Sequence, residues 1–213
     1  MTKIKTVSAH TASLLLQVGA VKLSPENPYT WSSGWKSPIY CDNRLTLSYP
    51  EIRTYLKEEL AALLKTHFPG AEAIAGVATA GIPHAALVAD ALDMPMCYVR
   101  SAPKAHGMGN RIEGLVLPGQ QVVVLEDLIS TGGSSLSVVE TLWEAGAQVL
   151  GMLAIFTYGF ETAAANFRTA GCPWYTLTDY PTLLAEALGQ GLIQPDALEQ
   201  LNAWRNTPDT WRQ

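Results

Sequence analysis

Two apolar patterns alternate along the chain. Val7, Leu14, Leu15 and Val18 share one side of a helix over 6–18. Ile52, Leu56, Leu60, Leu63 and Leu64 do the same over 50–68, which Pro69 and Gly70 stop. Between them, 29–47 mixes aromatic, β-branched and turn-forming residues as a short hairpin does. From Ala73 onward the signal changes to short, almost unbroken apolar runs at 73–78, 96–99, 121–125, 149–156 and 175–177. Helical stretches fall among them at 81–92, at about 134–145 (closed by Gly146) and near 160–170, and one or two more follow over 181–205. Strands apolar on both faces are covered on both sides, and strand–helix alternation makes them parallel. The pattern predicts an α/β domain with a central, mainly parallel sheet flanked by helices. The tail around Pro208 is expected to fray.

Length and charge narrow the function classes. The chain has 213 residues, enough for one domain with a full core. With 14 Lys+Arg against 19 Asp+Glu the net charge is −5, so nucleic acid is not an expected partner. No run of 18 apolar residues occurs, so no membrane span is expected. The first 20 residues show no signal-peptide pattern, and a cytoplasmic location is expected. Cys41, Cys97 and Cys172 are odd in number and far apart, which fits reduced thiols. His10, His67, His84 and His106 are scattered, and no zinc motif is present.

The chemistry concentrates in 122–136, VVVLEDLISTGGSSL. An apolar strand runs into Glu126 and Asp127. Leu128 and Ile129 follow, then Ser130, Thr131, Gly132, Gly133 and Ser134, where a helix opens. Glycines let several main-chain N–H groups turn toward one anion, and a helix N-terminus adds its dipole. Hydroxyls of Ser130, Thr131 and Ser134 are further donors. Such a loop suits a phosphate monoester. The two acids would repel a phosphate, so they suit sugar hydroxyls or a Mg²⁺ ion, and a phosphorylated ribose offers both. The bland alternative is a capped helix with solvated acids; strand, acid pair, hydroxyl-glycine loop and helix in that order favour the ligand. No GxxxxGK[ST] loop exists, and Gly107, Gly109 and Gly114 do not make GxGxxG.

This stretch resembles the phosphoribosyl pyrophosphate signature of the type I phosphoribosyltransferases. Other segments resemble the orotate phosphoribosyltransferase family. Arg100, Lys104 and His106 match the R-x-x-x-K-x-H-G pattern of that family's catalytic loop. The residues Ser33-Gly34-Trp35-Lys36-Ser37-Pro38-Ile39-Tyr40 are similar to its SGxxSPxY element, which lies over the base. Those from Gly76 to Pro83 are similar to its GxxxxGIP loop, which faces pyrophosphate. Three departures stand out. Ser101 replaces a lysine common after the arginine, and Ala80 replaces a lysine of some relatives. No arginine occurs in 156–160, where some members bind the orotate carboxylate. That task is left to backbone N–H groups, Ser130, Lys36 or Arg44.

The resemblance implies the type I fold, with an N-terminal hood (about 1–48), a core sheet (about 70–180), C-terminal helices (about 181–213) and a flexible lid over 102–114. It implies transfer of the phosphoribosyl group of 5-phosphoribosyl 1-pyrophosphate to orotate, with small-molecule substrates, Mg²⁺ as cofactor and a homodimer whose sites are shared. Lys104, His106 and Asp127 are the expected catalytic residues. Arg100 and the run from Glu126 to Ser134 are expected on phosphoribosyl pyrophosphate; Ser130, Lys36 and Tyr40 on orotate. Mg²⁺ is expected to arrive with the substrate and to meet Asp127. The competing readings are a purine or uracil phosphoribosyltransferase and a non-catalytic sensor of phosphoribosyl pyrophosphate.

Overall fold

The computed structural model describes residues 5–31, 33–101 and 111–212. The chain opens with α1 (Val7–Gln17), capped by the Thr6 hydroxyl, which accepts from the Ala9 N–H. Four short strands follow: β1 (Val21–Leu23), β2 (Tyr29–Thr30), β3 (Lys36–Ser37) and β4 (Ile39–Cys41). β2 and β3 form the hairpin the sequence predicts, but β4 turns back to pair with β1. Residues 43–48, expected within that hairpin, instead form a 3₁₀ turn. Its start is fixed by the Asp42 carboxylate, which accepts from the Arg44 N–H.

Helix α2 (Pro50–His67) begins with Pro at N1, carries Glu51 in its first turn, and places Lys65 and His67 in its last. The core then runs β5 (Ala73–Val77), α3 (Gly81–Leu92), β6 (Met96–Val99), β7 (Ile112–Glu113), β8 (Gln121–Ile129), α4 (Gly133–Glu144), β9 (Gln148–Thr157), α5 (Glu161–Ala170) and β10 (Trp174–Asp179). The last two helices are α6 (Tyr180–Gly189) and α7 (Ala197–Asn206).

Strands β5–β10 make one six-stranded sheet in the order β10-β9-β8-β5-β6-β7, parallel except for β7. Alternate residues feed opposite cores. Ile74, Val123, Leu125, Leu153 and Ile155 join the core under α2, α3 and the terminal helices. Ala73, Ala75, Val77, Val122, Val124, Met152 and Ala154 join the core under α4 and α5. The near-continuous apolar strands are thus explained by coverage on both faces.

Three expectations change. β8 does not end before the acids: it continues through Glu126 and Asp127 to Ile129, because β9 pairs with it along that whole length. The C-terminal part of the expected lid is sheet, since Ile112 and Glu113 pair antiparallel with Val99 and Tyr98. The tail does not fray: Arg212 donates to the Pro25 carbonyl and to the Gln200 side chain, and Trp211 packs on the core.

Candidate functional site

The strand order places the site. After β5 the chain builds outward to β6 and β7, then returns to add β8, β9 and β10 on the other side of β5. β5 and β8 therefore flank the point where the order reverses, and the crevice beyond their carboxyl ends is where such sheets bind ligands.

A cavity of about 320 Å³ occupies that crevice. Val77, Ala78, Thr79 and Ala80 wall it from the β5 side. Glu126, Asp127, Ser130, Thr131, Gly132 and Ser134 wall it from the β8 side. The sequence-predicted acid pair, the hydroxyl-glycine loop and the Gly76–Pro83 element meet there.

The geometry of the loop suits an anion. Gly132 is the N-cap of α4 at φ 83°, a left-handed conformation, and no N-cap side chain bonds the first-turn N–H groups. Helices α1 and α6 differ, since Thr6 and Asp179 cap them. The open N-terminus of α4 thus faces the cavity with unfilled donors and its positive dipole end. Asn166 holds the loop from behind by donating to the Thr131 carbonyl at 2.9 Å. A β-carbon on Gly132 would lie 2.9 Å from Phe167 Cε2, so the backbone there is pressed against α5.

The two acids are not equivalent. Glu126 is 6% exposed; its Oε1 accepts from the Asp127 N–H at 3.0 Å and its Oε2 from the Ser135 hydroxyl at 3.4 Å. Burial, and then the neighbouring Asp127 charge, push its carboxyl well above the usual range. Asp127 is only partly buried by surface exposure, and burial raises its carboxyl too, offset by hydrogen bonding and by Arg44. Both acids line the smaller cavity; Asp127 is the more exposed of the two, while Glu126 is held by the Asp127 N–H and the Ser135 hydroxyl.

A larger cavity, about 780 Å³, adjoins the first and shares Leu128, Ser130 and Thr131 with it. Its other walls include Trp31, Trp35, Tyr40, Arg44 and Tyr158. Trp31 stacks obliquely on Tyr158 at 5.2 Å between ring centroids. Flat aromatic walls and one cation suit a planar anionic ring.

The remaining predicted residues are placed as follows. Ser130 belongs to both cavities, and Tyr40 lines the larger one. Lys36 sits on the β2–β3 hairpin, donating to the Thr30 hydroxyl at 2.8 Å. Arg100 lies at the sheet edge, 3.7 Å from the Glu113 carboxylate, and lines neither cavity. Lys104 and His106 lie outside the described residues. Sequence reasoning missed Asn43, Trp31 and Tyr158. Asn43 is fully buried and donates to the Asp127 carbonyl at 2.8 Å. The aromatic pair had no motif to mark it; only their type, which suits a planar ligand, was a signal.

Comparison with known proteins agrees with this geometry. The phosphoribosyl transferase domain family matches residues 47–166. An orotate phosphoribosyltransferase from Bacillus pumilus is 62% identical over 93% of this chain and 94% of its own. One from Porphyromonas gingivalis is 53% identical over 98% of this chain and 99% of its own. The crystal structure of orotate phosphoribosyltransferase from Aeropyrum pernix superposes with TM-score 0.73 at 31% identity, covering 84% of this chain and 98% of that one. With these relatives and the family match over most of the core, this chain belongs to the orotate phosphoribosyltransferase family.

Proposed function

We propose that the two adjoining cavities form one active site, which transfers the phosphoribosyl group of 5-phosphoribosyl 1-pyrophosphate to orotate. The products are orotidine 5'-monophosphate and pyrophosphate. The observation that carries this reading is the shared wall: Leu128, Ser130 and Thr131 border both cavities, so a phosphoribose and a base bound there are neighbours.

In this reading the loop from Ser130 to Ser134 and the N-terminus of α4 hold the 5-phosphate. Asp127 faces the ribose. The bond from ribose C1 to the pyrophosphate oxygen breaks as the orotate ring nitrogen bonds to C1, and pyrophosphate leaves with the electron pair. Orotate is already anionic, so the work is positioning and electrostatics. Asp127 places negative charge beside the sugar as it becomes cationic. The 76–83 loop faces the departing pyrophosphate, and the family resemblance assigns Arg100, Lys104 and His106 to stabilise it.

Among the described residues no three Asp, Glu, His or Cys side chains converge on a metal. A carboxylate beside a phosphate cradle fits instead a Mg²⁺ held chiefly by substrate oxygens and water, with Asp127 as the protein contact. Mg²⁺, when bound, neutralises charge on the pyrophosphate.

The base carboxylate is assigned to Arg44. Its guanidinium donates twice to Asp42, at 2.6 and 2.9 Å, and lines the larger cavity; Asp42 fixes its orientation. The assembly is assigned as a homodimer with shared sites. Leu45 and Tyr49 are exposed apolar side chains that a partner subunit could cover. Mixing Lys104→Ala with Asp127→Asn protein and exchanging subunits should restore activity from two inactive parents. Mixed dimers without recovery would place the lid on its own subunit.

The central test is an assay with Mg²⁺, phosphoribosyl pyrophosphate and, separately, orotate, uracil, adenine, hypoxanthine and xanthine. Loss of orotate absorbance with pyrophosphate release is expected. Turnover of a purine or uracil alone would overturn the assignment, and binding without turnover would make the chain a sensor.

A further inference from the structure

We infer that Arg205, on the C-terminal helix α7, is a positioning residue for the base: it sets the wall of the larger cavity and thereby controls affinity for orotate but not for phosphoribosyl pyrophosphate. The inference rests on the assignment of that cavity to the base.

Residues 156–160 contain no arginine, yet one reaches them from 45 positions downstream. Arg205 Nε donates to the Tyr158 carbonyl at 3.1 Å and its Nη2 to the Gly159 carbonyl at 2.9 Å. Both are charge-assisted bonds to consecutive carbonyls, a fork that fixes the direction of the peptide plane between them. The guanidinium is not among the groups lining the larger cavity, so it acts through the segment it holds.

That segment is tied onward to the end of β8. The Gly159 N–H donates to the Thr157 hydroxyl at 3.0 Å, and this hydroxyl donates to the Ile129 carbonyl at 3.0 Å. Ile129 directly precedes Ser130, one of the three residues common to both cavities. Gly159 is at φ 65°, and a β-carbon there would lie 3.0 Å from Arg205 Nη2. A β-carbon at this turn would strain the left-handed backbone and displace the guanidinium.

The neighbouring Trp204 completes the support. It is fully buried and meets Trp31 edge-on at 5.6 Å and Tyr158 edge-on at 5.5 Å. These are two of the four aromatic rings that wall the base cavity. Helix α7 therefore braces the cavity twice, through ring edges and through main-chain carbonyls. The phosphate loop receives no direct contact from it in these bonds.

The experiment measures KM for orotate, KM for phosphoribosyl pyrophosphate, kcat and melting temperature in Arg205→Ala, Arg205→Lys and Gly159→Ala. Removing the paired charge-assisted bonds should raise KM for orotate roughly tenfold. KM for phosphoribosyl pyrophosphate should change less than about twofold, since the phosphate loop keeps its own contacts. Arg205→Lys, which retains one donor, should recover part of the loss, and Gly159→Ala should reproduce it from the other side. Parallel rises in both KM values with a fallen melting temperature would reduce Arg205 to a structural residue and overturn the proposal. So would unchanged KM values. If Arg205→Ala does not fold, Arg205→Lys is judged by the same split. Tyr40→Ala separates the two readings. An unchanged orotate KM in that variant removes the base from this cavity, and the proposal with it. A raised KM there with no effect at Arg205 leaves the cavity assigned and rejects the positioning role.

Discussion

The side-chain amide of Asn43 donates to the main-chain carbonyl of Asp127 across 84 residues of sequence, at 2.8 Å. This one bond joins the N-terminal 3₁₀ turn to the acid at the end of β8. It also holds the Asp127 peptide while its carboxyl faces the cavity. Asn43→Ala removes a part-buried hydrogen bond, which costs about 0.5–1.5 kcal/mol. For a domain of this size each kcal/mol lowers the melting temperature by roughly 2–4 °C. Turnover should fall further than stability explains, because Asp127 loses its anchor. Normal kcat in a folded Asn43→Ala protein would show that the bond serves the fold alone.

Gly132→Val tests the phosphate loop. The structure supplies two reasons that it should fail: φ is 83°, and a β-carbon would press on Phe167 at 2.9 Å. The left-handed conformation alone costs a non-glycine residue roughly 1–2 kcal/mol. Helix α4 should shift to relieve the contact and carry its N–H groups off the phosphate. Calorimetry with phosphoribosyl pyrophosphate should detect no binding to the folded variant. Unchanged affinity would leave the Ser130–Ser134 run as a helix start only.

The sheet and its helices were legible because both-face burial writes itself as unbroken apolar runs, as in residues 121–125. The loop that lines the smaller cavity was legible as a helix start because Ser, Thr and Gly before a helix have a local meaning. Long-range partners were not. Nothing in Asn43 or Arg205 announces a carbonyl 84 or 46 residues away. The end of β8 was also misplaced: carboxylates read as a strand terminus, yet pairing with β9 continues past them as far as Ile129. Tertiary pairing overrode local composition there.

Glu126 makes a prediction opposite to that for Asp127. Its carboxyl is raised in the folded state, chiefly by burial. The folded protein therefore holds this proton where the unfolded chain has released it. Stability must fall as pH rises from the ordinary glutamate range through the folded value. Glu126→Gln preserves an acceptor for the Asp127 N–H and removes the titration. The ligand-free variant should melt higher than the parent at pH 8, with a smaller difference at pH 4. Asp127→Asn should instead lose most turnover with little change in melting temperature, since a charge felt mainly in the transition state is worth roughly 2.7–4 kcal/mol in other enzymes. Equal losses of activity in Glu126→Gln and Asp127→Asn would contradict the division of roles.

His84 gives the acid-side prediction. It lies in α3, is 1% exposed, and its Nε2 has no hydrogen-bond partner. Burial lowers its pKa from 6.5 to about 4. The folded state keeps the ring neutral while the unfolded chain takes up a proton below pH 6.5. Stability is therefore fully present above the unfolded value and is lost as pH falls toward 4. The slope approaches about 1.4 kcal/mol per pH unit between the two values. His84→Leu removes both the titration and an unpaired buried nitrogen, at similar volume. Urea unfolding of parent and variant should diverge below pH 6, with the variant losing less stability on the way to pH 4.5. At pH 8 the two should differ only by the constant gain from removing the unpaired nitrogen, because the parent ring is neutral in both states there. Parallel pH profiles would show that the folded and unfolded chains bind this proton equally, and would remove the predicted contribution of His84.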